Sequence, residues 1–166
     1  GNSVIEKDWN DNLVKEITPQ ADDIELDYEV IVLENGNYLC VGRKAFSLEE
    51  FEEIGYNLDD LGFPIHTDVV VELDSETGEI VWLWNIADHV IQERSDTIAN
   101  YGVVAEHPEL LNIDAISTFD WTSTESWMIN GMDYHLGLDQ IVLSVRKMGE
   151  IIIIDHSTTT EEAAGH

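Results

Sequence analysis

Apolar and polar positions alternate along most of this chain in short bursts, and the bursts come in pairs. In 66–86, HTDVVVELDSETGEIVWLWNI, an apolar run meets a polar turn over Asp74–Glu79, and a second apolar run carrying Trp82 and Trp84 follows. Alternation of period 2 between turn residues predicts strands over 67–73 and 79–86 joined as a hairpin. A shorter version, VIEKDWNDNLVKEI, predicts strands over 4–8 and 13–17 around the turn Asp8–Asn12. A third begins at 150 as EIIIIDHSTTTEEAAGH, a strand over 150–155 and a polar tail.

A second hairpin type stands at 28–44, YEVIVLENGNYLCVGRK, and at 132–147, MDYHLGLDQIVLSVRK, each ending in an Arg-Lys pair. It predicts strands over 28–33, 38–43, 127–134 and 140–146. Asn35-Gly36 between apolar alternation is a strong hairpin signal, because both residue types tolerate positive φ. Between the strands, SLEEFEEIGYNLDDLGFP changes period. Ser47 and Glu50 form a capping box, Leu48, Phe51 and Ile54 have helical spacing, and Gly55 ends the run, which predicts a helix of one or two turns. ADHVIQERSDT and HPELL predict short helices, and 95–125 reads as a long irregular connection.

Local antiparallel pairs in sequence order make the fold class all-β. Grouped by repeat, the chain reads as a β-propeller segment of about two four-stranded antiparallel blades with short helical inserts. In this reading 1–17 is the outer hairpin of a preceding blade, 28–86 a full blade with a helical insert at 46–65, and 127–166 a partial blade lacking its fourth strand. A sandwich of short strands is the rival, and the recurring D-x-x-x-G-E-I-V-W type of outer hairpin favours blades. Propellers close with about four to eight blades. The expectation is therefore a fragment of a longer polypeptide; assembly with identical copies and condensation into an open sheet pair are the alternatives.

Composition narrows the class of function. Of 166 residues, 43% are hydrophobic, which is globular and not disordered. No apolar run approaches the roughly 20 residues of a membrane helix, and GNSVIEKDW is not a signal peptide. The net charge is −28, from 35 acidic and 7 basic residues. Nucleic acid and anionic lipid are thus poor partners. A chain this acidic suits salt-rich surroundings, where screening relieves self-repulsion. An exported, extracellular or periplasmic protein is the expected setting. The one cysteine, Cys40, falls on a predicted strand and excludes a disulfide framework or a Cys-based zinc site within the chain. It reads as a small buried side chain. No cofactor or metal motif is present. Asp8-x-Asn10-x-Asn12 has the ligand spacing that opens a calcium loop, but Leu13 stands where that loop needs glycine, so a hairpin turn is the reading.

The blocks VVVELDSETGEIVWLWNIADHVIQ, NYGVVAEHPELLNID, DWTSTESWMINGMDYH and LDQIVLSVRKMGEIIIIDHSTTTEEAAGH resemble bacterial and archaeal arylsulfotransferases, and YEVIVLENGNYL is similar to an upstream family blade. The resemblance is specific over the last hundred residues or so and looser before them. It implies a six-bladed propeller with its site at the funnel mouth, where a histidine takes a sulfate group from one phenol and passes it to another. The partners it implies are a phenolic sulfate ester or a phenol, and further blades or identical copies to close the ring.

The family pattern D-W-x-H-x-N-S-x-D-Y, aligned on Asn130, Asp133 and Tyr134, brings Met128 or a neighbour to the histidine position. The upstream H-H-D aligns with Asp27-Tyr28-Glu29, while the family's L-S-x-R is retained as Leu143-Ser144-Val145-Arg146. Methionine carries no proton and cannot attack sulfur as imidazole does. The resemblance thus implies a scaffold that has not kept these histidines.

The residues expected to serve such a site are Arg146 and His135 for catalysis, and Asn130, Trp121, Trp127 and Arg43 for substrate binding. Arg146 offers a fork of donors suited to a sulfate, with a surface ion pair as the alternative. His135 is the histidine nearest the lost position, or a solvated turn residue. Trp121 and Trp127 flank the loop expected at the mouth, while Trp82 and Trp84, alternating on one face, read as packing between blades. His66 and His156 have no evident partner in the sequence, His89 reads as structural, and His107 as a helix-entry residue. Two functions follow: part of an arylsulfotransferase, or a non-catalytic propeller module for structure or interaction.

Overall fold

The computed structural model describes residues 2–55, 65–115 and 127–165. Among the described residues eleven strands and two short α-helices follow one another: β1 (Val4–Lys7), β2 (Leu13–Ile17), β3 (Ile24–Val32), β4 (Tyr38–Phe46), α1 (Leu48–Glu53), β5 (Ile65–Leu73), β6 (Ile80–Asn85), β7 (Val90–Ile91), β8 (Leu111–Asn112), β9 (Ile129–His135), β10 (Gln140–Val145), β11 (Glu150–Asp155) and α2 (Thr160–Ala163). The fold is all-β, as the alternation predicts. β3-β4-β5-β6 form a four-stranded antiparallel sheet, β9-β10-β11 a three-stranded one, and β1-β2 a hairpin, each paired in chain order. The short β7 and β8 pair in parallel.

The three antiparallel units stack as layers, and the side-chain alternation of each strand explains why. One core joins the two sheets. Leu39, Val41, Val70, Trp82 and Trp84 meet Ile129, Ile141, Leu143, Val145 and Ile154 there. The opposite face of the four-stranded sheet presents Tyr38, Cys40, Val69, Val71 and Leu73 to Val4 and Ile17 of the hairpin. Trp82 and Trp84 are thus packing between sheets, and Cys40 is fully buried, its thiol pushed up to about 12 by burial.

Turn chemistry agrees with the reading at several points. Gly36 and Gly78 take φ of 87° and 78° in the two hairpin turns. Ser47 and Glu50 form the reciprocal capping box of α1. Asp8 Oδ1 accepts from the backbone N–H of Asn10 and Asn12, which makes 8–12 a side-chain-capped turn.

The structure differs at others. β3 starts at Ile24, ahead of the strand expected over 28–33, and a bulge interrupts its pairing between Leu26 and Val30. ADHVIQ is not a helix: one 3-10 turn over Ile86–His89 leads into β7, because Val90 and Ile91 bury as strand residues. HPELL is a turn following a 3-10 turn at Val104–Glu106. Gln92 organises the connection beyond β7, its buried amide donating to the carbonyls of Ser95, Ile98 and Ala99. The tail after β11 is ordered: Thr159 caps α2, and the segment docks on β6 through Trp82 Nε1 to Thr158 O at 3.0 Å. Residues 56–64 of the predicted insert lie outside the described residues.

Candidate functional site

The first strands of the two sheets, β3 and β9, lie against each other, and the site is assembled where they meet. The β3 bulge holds Asp27-Tyr28-Glu29 at this meeting, and the chain enters β9 through Trp127 and Met128. Asp27 and the 127–129 segment are thus brought to one rim through Arg43 and Asp68. Met128 has a φ of 58°, costly for a side chain with a Cβ. Its carbonyl accepts from the Arg146 N–H at 3.0 Å, which ties the end of β10 to the start of β9.

The positive φ is held in place by Asp68. On β5 the side chains of His66, Asp68, Val70 and Glu72 alternate onto the face toward the second sheet. Asp68 is 3% exposed, and its carboxylate accepts from the backbone N–H groups of Ile129, Met128 and Trp127. Successive N–H groups converging on one anion form a nest. Burial pushes the Asp68 carboxyl up to about 6, against the opposing pull of these N–H groups and of Arg43. Its second oxygen, Oδ2, is buried with no hydrogen-bond partner among the described residues.

Arg43 on β4 is the cross-strand neighbour of Asp68. Its Nε lies 3.0 Å from Asp27 Oδ2, and Nη2 lies 4.0 Å from Glu25 Oε2. The guanidinium is therefore surrounded by carboxylates of its own sheet. Among the described residues no group of three or more His, Cys, Asp or Glu side chains could hold a metal ion.

The expected site residues divide. Arg43 lies in the rim but is ion-paired. Arg146 lies beside Met128 through its backbone, and its side chain is exposed and makes no ion pair among the described residues. Asn130 is exposed on β9 close to Met128. Trp127 is 0% exposed, a member of the core between the sheets. His135 stands at the opposite end of β9 from Met128, where its Nδ1 accepts from Leu138 N–H. Trp121 lies outside the described residues.

Asp68 is a site residue that the sequence analysis does not single out. Its signal is the acid of HTD set directly before the apolar run VVVEL, where a buried strand tolerates an acid only with partners. His156 also departs from expectation. It lies between two carboxylates: Nδ1 hydrogen-bonds Asp139 Oδ1 at 2.8 Å, and Nε2 sits 3.1 Å from Glu72 Oε2 as an ion-pair contact. His89 stacks on Trp84 with centroids 5.2 Å apart and contacts Ala163 O, and His107 Nδ1 lies 2.9 Å from Glu109.

In comparison with known families, residues 5–161 match the family described as Arylsulfotransferase (ASST). No curated protein matches the chain.

Proposed function

The chain belongs to the arylsulfotransferase family, and within it we propose a propeller segment whose rim does not itself carry out histidine-based sulfate transfer. One observation supports this above others: Arg43 is flanked by Asp27 and Asp68, and Asp68 also takes the N–H groups of Trp127, Met128 and Ile129. A phenolic sulfate ester is an anion. At this rim it would meet carboxylates where transfer needs cationic donors aimed at developing charge. Non-catalytic support of a larger β assembly is the role that fits. The proposed partners are further blades or identical copies, in a salt-rich extracellular or periplasmic setting that suits a net charge of −28.

The test is sulfate transfer from 4-nitrophenyl sulfate to phenol. No nitrophenol release above a boiled control is expected, and release above it overturns the proposal. Light scattering checks the assembly: a stable, folded monomer contradicts the need for partners.

A second reading rests on Arg146, whose guanidinium is exposed and makes no ion pair among the described residues. In it, Arg146 contributes a sulfate-binding fork to a site completed by other blades, and phenol and its sulfate ester are the substrates. Loss of transfer in Arg146→Ala, within an assembly that shows transfer, would favour this reading.

A further inference from the structure

At the end of β5 away from the rim, a second polar cluster joins the two sheets. His156, just after β11, has a side chain only 9% exposed, as has Glu72 of β5. Its ring nitrogens face carboxylates from different layers: Nε2 lies 3.1 Å from Glu72 Oε2, and Nδ1 lies 2.8 Å from Asp139 Oδ1 in the β9–β10 turn. Glu72 Oε1 is fixed from the β3–β4 turn, by Asn35 Nδ2 at 2.9 Å and Asn37 Nδ2 at 2.6 Å. Asp139 Oδ1 accepts from the Tyr134 hydroxyl at 2.7 Å. Trp82 of β6 and Tyr134 of β9 close the sides, each edge-on to the imidazole. Glu34, on the same turn as Asn35, adds negative charge felt by Tyr134, and Asp155 beside His156 is engaged by Ser157.

A doubly protonated imidazolium donates to Asp139 from Nδ1 and sets its positive charge against Glu72 at Nε2, an ion-pair contact outside hydrogen-bond geometry. Neutral imidazole has one N–H and one lone pair, so one carboxylate would then face a lone pair in a nearly buried site. The residues beyond His156 depend on its position. Thr158 O receives Trp82 Nε1, Thr160 Oγ1 receives Leu83 N–H at 3.2 Å, and Ala163 of α2 completes the core.

We infer that His156 is a protonation-dependent clasp, which fastens the second sheet and the C-terminal segment to the first sheet while it is charged and loosens them when it is neutral. The direction of its titration agrees: contact with Glu72, then Asp139, raises the imidazole above its usual range against the cost of burial. A raised value means that the clasp is complete below the unfolded value of about 6.5 and is lost as pH rises through the folded one.

The experiment is an NMR titration of the wild-type imidazole, with amide protection factors at Leu83 and 159–164 and tryptophan emission followed over the same pH range. The expected result is a His156 titration displaced upward from a free histidine. Protection at Leu83 and 159–164 should fall through that titration, while the amides of β4 and β10 keep theirs. Glu72→Gln and Asp139→Asn should each lower the titration, and His156→Gln should remove the pH dependence of protection. If His156→Gln does not fold, the two carboxylate variants carry the decision. A His156 that titrates at or below the free value, or protection at Leu83 and 159–164 that does not change across its titration, overturns the inference.

Discussion

Arg43 and Asp68 stand directly opposite each other on β4 and β5, and each is turned to a different partner. The guanidinium reaches back to Asp27 in the β3 bulge, while the carboxylate reaches across the layer boundary to the N–H groups that open β9. The pair thus does two jobs: it fixes the entry to the second sheet, and it leaves Arg43 already engaged by carboxylates.

Replacing Asp68 tests the first job. Its folded value of about 6 lies above the ordinary 3.8, so the native state holds its proton more tightly than the unfolded chain. Stability from this group is full below about 3.8 and is lost as pH rises through about 6. Asp68→Asn keeps an acceptor for the N–H groups and removes the charge. Thermal midpoints of the variant should lack this decline and should exceed those of wild type at neutral pH. A variant less stable than wild type at neutral pH would show that the charge itself is needed.

Glu72 works with the opposite sign. His156, with help from Asn37 and Asn35, depresses its carboxyl to about 2 from 4.5. Its contribution is present above about 4.5 and disappears as pH falls toward 2. Circular dichroism across acid pH should show Glu72→Gln less stable than wild type at neutral pH and converging with it in strong acid. Parallel acid transitions in the two proteins would remove Glu72 from the account.

Gly78 and Gly36 provide an internal comparison. Both have positive φ, which costs an alanine about 1–2 kcal/mol on backbone grounds. A Cβ on Gly36 meets open space, whereas one on Gly78 would collide with the Thr18 carbonyl, next to the point where Gln20 N–H bonds to Gly78 O at 2.8 Å. Gly78→Ala should therefore lose clearly more stability in urea unfolding than Gly36→Ala, and should expose the β1-β2 hairpin to proteolysis first. Equal losses would mean that the hairpin gives way without cost.

Salt is the fourth lever. With 35 acidic residues against 7 basic ones, self-repulsion opposes the compact state and screening relieves it. The melting temperature should climb between low and molar sodium chloride. A flat or falling profile would refute adaptation to salt.

Much of the fold was legible because its signals are local. Alternation over VVVEL and IVWLW, the Asn35-Gly36 turn and the Ser47–Glu50 capping box each depend on residues within a few positions, and the structure has all of them. Val90 and Ile91 misled for the converse reason. Their helical appearance rested on a short window, and burial beside β8 decided for strand. The C-terminal STTTEEAAG read as a polar tail because its anchors, Trp82 and Leu83, are remote in sequence.

By itself the sequence determined the all-β class, the order of pairing, the identity of the two tryptophans as packing residues and the family of the chain. These follow from period, turn chemistry and motif, which a linear string carries. Tertiary structure alone decided the partners of the charged groups. Asp68 finds its N–H groups at 127–129, and His156 finds Glu72. Burial makes each pairing obligatory, since an acid or an imidazolium removed from water must be met by a partner, and only the stacking of the sheets determines which residue that partner is.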